Sequence, residues 1–381
     1  MKTKVSLAKC ENYDSNEVMR AVSSAIDNIG GIKNFVKPGE RILLKPNLLS
    51  ARQPERAVTT HPEIVRAVIR LVREAGAVPI LGDSPGGAVK GVERVWKETG
   101  MKMVSEQEKV ELVNFETSGS DEVNINHPLL PRIHLSKIAL NVDGIINLPK
   151  LKTHGLVIFT GAIKNFYGCI PGLRKAEYHK IVPHPDDFGR LLGELYLLLK
   201  SRVRLTVMDG ILGMEGNGPG TGDVRKLNIV AASQDVVALD TVITSLLGFK
   251  PQKIEMIKYL SAAKAGESNL SRIEITGESP SAFDLAHFKF PSNWYIILIP
   301  HFLISMLGKF IWMKPEIVPE ICENCMMCVN SCPVKAISKK GKEKPVINAK
   351  ACISCLCCHE LCQYKAIELR SSFLAKLLIR H

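Results

Sequence analysis

Two runs of cysteine carry the clearest chemistry in the chain: Cys322-Glu-Asn-Cys325-Met-Met-Cys328-Val-Asn-Ser-Cys332 and Cys352-Ile-Ser-Cys355-Leu-Cys357-Cys358-His-Glu-Leu-Cys362. Each has the spacing C-x2-C-x2-C-x3-C, in which three closely spaced thiolates take three irons of a cubane and the fourth ligates the other cluster. The spacing therefore predicts two 4Fe-4S clusters. Cys322, Cys325, Cys328 and Cys362 would hold one, and Cys352, Cys355, Cys358 and Cys332 the other. Paired zinc sites also use C-x2-C, but a zinc site closes on four ligands and needs no interlocked quartets. Cys357 is an extra thiol, read as a small buried hydrophobe.

From about Glu320 to Glu368 the chain resembles the bacterial-type two-cluster ferredoxins. One departure is that Gln363 follows Cys362, where the first run has Cys332-Pro333. The exit turn of the second run thus lacks a fixed φ, while its ligands are intact. Thiolate-held cubanes transfer single electrons with little ligand rearrangement, so two of them make a relay.

A second set of reactive side chains follows apolar runs. Lys45 and Asn47 end the run Arg41-Ile-Leu-Leu-Lys45. Asp83 and Ser84 follow Ala77-Val-Pro-Ile-Leu81, within Gly82-Asp83-Ser84-Pro85-Gly86-Gly87. Lys150, Lys152 and His154 follow Gly144-Ile-Ile-Asn-Leu148, with Lys164 a little further on. The carboxyl ends of strands in open α/β sheets point into the ligand crevice. Pro46, Asn47 and Asp83 are equally ordinary turn residues, so a plain turn remains the alternative at each. Between Ile145 and Lys180 stand Lys150, Lys152, Lys164, Arg174, Lys175 and Lys180 against the single acid Glu177. A solvated helix face would mix signs. Convergent lysines depress one another's pKa and serve as anion clamps or general bases. The glycine loop at 82–87 is neither G-x-G-x-x-G nor a P-loop, so no standard dinucleotide or triphosphate site is expected. His61, before Pro62, sits where a helix N-terminus would bind an anion or simply be capped. The stretch from Asp209 to Asp223 is rich in glycine and reads as an anion-binding nest or a lid.

The elements that position these groups follow from periodicity. Strands are expected at Val5–Ala8, 41–45, 77–81, 144–148, 204–208 and 227–231. Helices are expected from Asn16 to Ile29, from Pro62 to Gly76, from Pro185 to Lys200 and from Asp235 to Leu247. The fold class is α/β, a mostly parallel sheet with helices on both faces, plus a small α+β two-cluster ferredoxin-like domain. Expected boundaries are an α/β domain at 1–290, an apolar connector helix at 291–318, the ferredoxin domain at 319–370 and an amphipathic basic tail at 371–381. The connector, Trp294 to Trp312, is interrupted by Pro300, His301 and Lys309. It reads as burial between domains, as membrane or partner docking, or as a span.

Leu44-Lys45-Pro46-Asn47, Thr60-His61-Pro62, Gly82-Asp83-Ser84-Pro85, Pro149-Lys150-Leu-Lys152-Thr153-His154, Lys164-Asn165-Phe166-Tyr167-Gly168 and Met208-Asp209-Gly210 together resemble the domain of unknown function 362 family. The resemblance covers about residues 1 to 280. It implies an α/β domain with an attached iron-sulfur module and no settled reaction. A more distant similarity is to nickel-pincer lactate racemases, which use His and Lys as acid-base groups in an α/β crevice. It makes His61, His154, Lys152 and Lys164 the catalytic candidates, while placement after apolar runs makes Lys45, Asn47, Asp83, Ser84 and Lys150 the binding candidates.

The chain has 381 residues, a formal charge of +12 and 11 cysteines, eight of them in the two runs. Mean hydropathy is +0.07 and the pI about 9.1. This cysteine usage implies a reducing cytoplasm, and the first ten residues have no apolar core like that of a signal peptide. The positive charge implies an anionic partner: a small molecule, an acidic redox partner protein or a peripheral membrane contact. No helix-turn-helix or aromatic-basic platform points to nucleic acid. The expected function is an iron-sulfur oxidoreductase passing electrons between the clusters and an unidentified anionic substrate or cofactor. A non-enzymatic ferredoxin-type carrier or adaptor, and an isomerase or ligase with structural or regulatory clusters, are the alternatives.

Overall fold

The computed structural model describes residues 2–86, 91–172, 174–182, 184–291 and 313–372. Long apolar stretches become the strands of a single large sheet. Its main path runs β12 (Ile273–Gly277), β1 (Thr3–Lys9), β11 (Asp223–Ser233), β10 (Val203–Glu215), β7 (Gly144–Leu148), β2 (Arg41–Pro46), β3 (Val78–Asp83) and β4 (Glu111–Asn114). Pairing is parallel from β10 through β7, β2 and β3 to β4, and between β1 and β12. It is antiparallel where β11 meets β1 and β10. Ile42, Leu43 and Leu44 in β2, and Ile145, Ile146 and Leu148 in β7, are fully covered, as strands buried on both faces must be. A two-stranded ribbon, β5 (Ser120–Asn124) with β6 (Arg132–Ser136), lies off the sheet.

Helices cover both faces. α1 (Ser15–Asp27) and α2 (Pro62–Glu74) turn Val18, Val22, Ile64 and Val68 onto one core, joined by the short α3 (Val92–Glu98) and α4 (Met101–Gln107). The opposite core takes α5 (Lys137–Asn141), α6 (Ala162–Asn165), α7 (Arg174–Ile181), α8 (Pro185–Leu199), α9 (Val236–Leu246) and α10 (Glu255–Ala262). Asp14 caps α1 through the N–H groups of Asn16 and Glu17. Pro62 opens α2, and the His61 side chain accepts from Glu63 N.

The chain proceeds outward from β2 to β4 and returns with β7 on the other side of β2. The carboxyl ends of β2 and β7 therefore flank a topological switch point, where open α/β sheets bind ligands.

The small domain pairs β13 (Met313–Ile317) with β16 (Ile367–Ser371) and β14 (Ile337–Ser338) with β15 (Val346–Ile347), both antiparallel. α11 (Met327–Asn330) and α12 (Cys357–Leu361) follow the two cysteine loops. The internal repeat extends to the backbone. Asn324, Met326 and Lys335 adopt left-handed φ values of 53°, 62° and 51°, and their counterparts Ser354, Leu356 and Lys365 take 54°, 60° and 55°. Left-handed residues curl each loop back on itself.

Three expectations change. Lys150–His154, read as a loop after a strand, is itself strand β8, because its main chain pairs with β10 and with β9 (Ile158–Thr160). Residues 209–215, read as part of a nest or lid, continue β10 through the ladder with β11. Residues 313–317, assigned to the connector helix, form β13, since they find a strand partner in the small domain. The rest of the apolar stretch, 294–312, and the tail at 373–381 lie outside the described residues.

α6, only four residues long, is capped from α9: Asp240, fully buried, accepts Ala162 N at 2.7 Å and Ile163 N at 2.9 Å. Asp240→Ala would leave two buried N–H groups unpaired. A loss of about 2 kcal/mol or more is expected in urea unfolding monitored by far-UV circular dichroism.

Candidate functional site

β2 and β3 end on an ion pair. Lys45 Nζ, with no exposed side-chain surface, lies 2.8 Å from Asp83 Oδ1 and 3.0 Å from the Pro46 carbonyl. The other Asp83 oxygen accepts Leu48 N at 2.9 Å. Gly168 passes so close that a Cβ there would collide with Lys45 Nζ and Asp83 Oδ1. Asn165, at the end of α6, donates to Lys45 O at 3.1 Å and to Asn147 Oδ1 at 2.8 Å, tying α6 to the strand ends.

Asn47 links this pair to Lys152. Its Nδ2 donates to Asn165 Oδ1 at 3.2 Å, and its Oδ1 accepts from Lys152 Nζ at 2.6 Å. Lys152 also donates to Val58 O at 2.6 Å. Burial holds the Lys152 amine well below its usual range, and the charges of Lys164 and Lys150 act in the same direction.

Lys150 and His61 belong to a separate knot. Lys150 Nζ lies 2.8 Å from Asp209 Oδ2 and 2.8 Å from Tyr13 Oη. Tyr13 donates to Asp209 Oδ1 at 2.8 Å, and His61 N to Asp209 Oδ2 at 2.8 Å. The His61 ring stacks on Tyr13, with centroids 3.6 Å apart, and burial lowers its pKa to about 4 against the pull of Asp209. Asp209 is thus the counter-charge of a buried lysine. Glu215, at the end of β10, pairs with Arg225 at 3.2 Å.

His154 accepts Leu156 N at Nδ1 (3.0 Å), which places the proton of the neutral ring on Nε2. That nitrogen is 3.2 Å from Oε1 of Glu360, a residue of α12 in the small domain. Burial drives His154 well below its usual pKa and raises Glu360 to about 7, with Lys164 and Lys152 opposing the rise in Glu360.

A cavity of about 100 Å³ lies between the two domains. Lys45, Asn47, Asp83, Ser84, Lys164 and Lys175 contribute from the α/β side, and Ser331, Cys357, Glu360 and Leu361 from the cysteine-rich side. Lys175, at the start of α7, donates to Ser84 O at 2.6 Å and to Ser84 Oγ at 2.5 Å. Burial lowers its pKa to about 8, with Asp83 and Glu116 opposing. Among the described residues the Lys164 ammonium makes no hydrogen bond or ion pair, and it stands 5.7 Å from the Tyr167 ring centre.

Of the nine expected crevice residues, Lys45, Asn47, Asp83, Ser84 and Lys164 line this cavity. Lys152 and His154 stand behind it, bonded to Asn47 and facing Glu360. Lys150 and His61 lie apart in the Asp209 knot. Lys175, His179, Asn165, Tyr13 and Glu360 were not singled out from the sequence. Lys175 stood in the basic stretch and Asn165 within a quoted motif, but Glu360 reads as a spacer between Cys358 and Cys362.

The cysteines line two separate spaces. One is bounded by Cys322, Cys325, Cys328 and Cys362, the other by Cys332, Cys352, Cys355 and Cys358, with Cys357. Backbone N–H groups reach the sulfurs of Cys332 from Ala336 (3.2 Å), Cys352 from Ser354 (3.4 Å) and Cys362 from Ala366 (3.3 Å). Four thiols per space with amide donors to sulfur suit a cubane. Among the described residues no three His, Cys, Asp or Glu side chains converge on a single-ion site. Cys357 is buried, as expected of it, and also lines the interdomain cavity.

The small domain is held by Arg52 Nη2 on the Cys362 carbonyl at 2.8 Å and Lys365 Nζ on Gly222 O at 3.2 Å. His359 lies 3.1 Å from Thr221 Oγ1. A Cβ at Gly220 would strike the Glu360 carbonyl. The glycine-rich turn at 216–222 therefore cradles the small domain.

These features define an iron-sulfur protein built on an α/β sheet, and residues 315–338 match the 4Fe-4S binding domain. Residues 42–245 match the family described as Domain of unknown function (DUF362), and the chain belongs to that family. It is 39% identical over 254 residues, 66% of this chain and 76% of the relative, to the thylakoid-associated protein sll1697 of Synechocystis sp.. Among solved structures, the lactate racemase apoprotein from Thermoanaerobacterium thermosaccharolyticum aligns at a TM-score of 0.39 and 11% identity. That alignment covers 61% of this chain and 54% of that one. Among the described residues no helix is long and apolar enough to cross a membrane.

The small domain's core sets Cys322, Cys358 and Cys362 among only four buried aliphatic residues, Ile317, Ile337, Ala366 and Ile367, so its fold depends on what the thiols bind. Replacing Cys355 and Cys358 with Ala should release α12 and expose the cavity. Lys164 should then be acylated rapidly by acetic anhydride, as read by peptide mass spectrometry, while the large sheet keeps its circular dichroism.

Proposed function

We propose that the protein is an iron-sulfur oxidoreductase, with electrons passing between two 4Fe-4S clusters and an anionic substrate or cofactor in the interdomain cavity. The shared wall carries this reading: Ser331 and Cys357, each next in sequence to a cysteine of the second quartet, line the same cavity as Lys164 and Lys175. Cys322, Cys325, Cys328 and Cys362 would hold one cluster, and Cys332, Cys352, Cys355 and Cys358 the other. The clusters supply one-electron chemistry. Cys325 is exposed whereas Cys355 and Cys358 are buried, which suits exchange with a redox partner protein at the first quartet and with the cavity at the second.

The chain's own residues bind and move protons. Lys164 and Lys175 attract the anion. Lys45, neutralised by Asp83, shapes the floor with Asn47, and Ser84 orients Lys175. Glu360 holds or releases a proton at the cavity wall, with His154 Nε2 behind it. Lys152 acts through Asn47. His61 and Lys150, tied to Asp209, set the geometry of the strand ends without touching the ligand. The net charge of +12 and the thylakoid association in the name of the Synechocystis relative favour a peripheral membrane contact in addition.

Anaerobically purified protein should contain about eight irons per chain by this ligand count. After reduction with dithionite, its clusters should be reoxidised by an anionic fraction of a cell-free small-molecule pool, followed by EPR. Lys164→Ala should slow that reoxidation about tenfold or more. Cluster reduction with no small molecule able to reoxidise it would instead support a carrier that serves a protein partner.

Anion affinity should also depend on pH. With its pKa lowered to about 8, Lys175 is charged at pH 7 and neutral by pH 9. Binding should weaken as pH rises through about 8 and not recover at higher pH, a trend that Lys175→Arg should remove.

A further inference from the structure

We infer that the ligand of the interdomain cavity is a small organic carboxylate, its two oxygens met by Lys164 and His179 and its body resting on Leu48, Leu49 and Leu361. The inference deepens the proposal that this cavity is a ligand site and does not depend on electron transfer.

Size comes first. The space measures about 100 Å³, well above the roughly 10–15 Å³ that a single water needs. A space of this size favours a compact ligand.

The charges come next. Lys45 is neutralised by Asp83 at 2.8 Å, and the Lys175 donors are directed to Ser84 and Pro85 oxygens. Lys164 is the cavity-lining lysine whose ammonium has no hydrogen-bond or ion-pair partner among the described residues. His179 lines the same cavity, is 5% exposed, and has its Nδ1 buried without a partner. Its ring is fixed by stacking on Phe188, with centroids 4.3 Å apart. Burial, with the Lys164 charge adding to it, keeps this imidazole neutral with a pKa of about 3, so it offers one N–H donor. One ammonium and one N–H suit the two oxygens of a carboxylate.

A phosphate would need more donors than the described lining leaves free. Among the described residues no arginine lines the cavity. The free N–H groups at the start of α6 are already taken by Asp240, and Gly172 N is given to Ser84 Oγ. Leu48, Leu49, Tyr167, Ala176 and Leu361 form the apolar part of the lining and suit a short carbon chain or ring, while Asn165, Ser331 and Glu360, whose pKa burial raises to about 7, complete it.

The test is calorimetric titration of the anaerobic, cluster-loaded full chain with three sets of probes: linear, branched, hydroxy and keto carboxylates of two to six carbons; inorganic phosphate; and AMP. At least one carboxylate should bind in the millimolar range or tighter, and phosphate and AMP should not. Lys164→Gln and His179→Phe should each weaken binding about tenfold or more while the cluster EPR spectrum is unchanged. A measurement that needs no variant is protection: the bound carboxylate should shield Lys164 of the unaltered protein from acetic anhydride. Binding of phosphate or AMP in place of carboxylates would overturn the inference, as would binding of no carboxylate. A carboxylate that binds without reoxidising reduced clusters would leave this inference standing and sink the oxidoreductase. Reoxidation by a ligand of another class would do the reverse.

Discussion

Burying ammonium groups is the constraint on which the rest of this structure depends. Lys45, Lys150 and Lys152 have almost no exposed surface, and a buried charge costs several kcal/mol unless it is paired or neutralised. Each lysine meets that cost differently. Lys45 has Asp83 from the neighbouring strand, Lys150 has Asp209 from β10, and Lys152 gives its protons to Asn47 and the Val58 carbonyl under conditions that favour the neutral amine. The strand order places these partners, since the carboxyl ends of β2, β3 and β7 lie beside the start of β8 and the middle of β10.

Lys164 is the case left open within the α/β domain. The opposing carboxylate in its surroundings, Glu360, comes from another domain and from between two cysteines. Placing that acid on α12 couples the site to the iron-sulfur module in two ways. It supplies a wall of the cavity, and it brings the second cysteine quartet beside whatever the cavity holds. The glycine-rich turn at 216–222 and Arg52 secure this docking through main-chain contacts.

Much of the fold was legible from pattern. The apolar runs at 41–45, 77–81 and 144–148 are central parallel strands, because a strand covered on both faces has few polar positions. Pro62 after His61, and the amphipathic stripe that follows, mark α2. Lys150–His154 was misread as a loop because it carries polar side chains at a strand end, yet its main chain pairs with β10 and β9. The same happened at 209–215, where glycine and acid residues suggested a turn and the ladder with β11 kept them extended. Such pairings join residues far apart in sequence, and no local propensity encodes them.

The sequence by itself determined the chemistry of the cysteines. Spacing within a short run limits which thiols can face one cubane, so the division into two interlocked quartets follows from chain geometry and the internal repeat. It also showed a set of lysines following apolar runs. Only the tertiary structure decided which of those lysines is free. Lys45, Lys150, Lys152 and Lys164 look alike in the sequence, but their availability depends on carboxylates far along the chain, at Asp83, Asp209 and Glu360. Coulomb interactions in a low-dielectric interior act through space, and only the folded chain sets those distances.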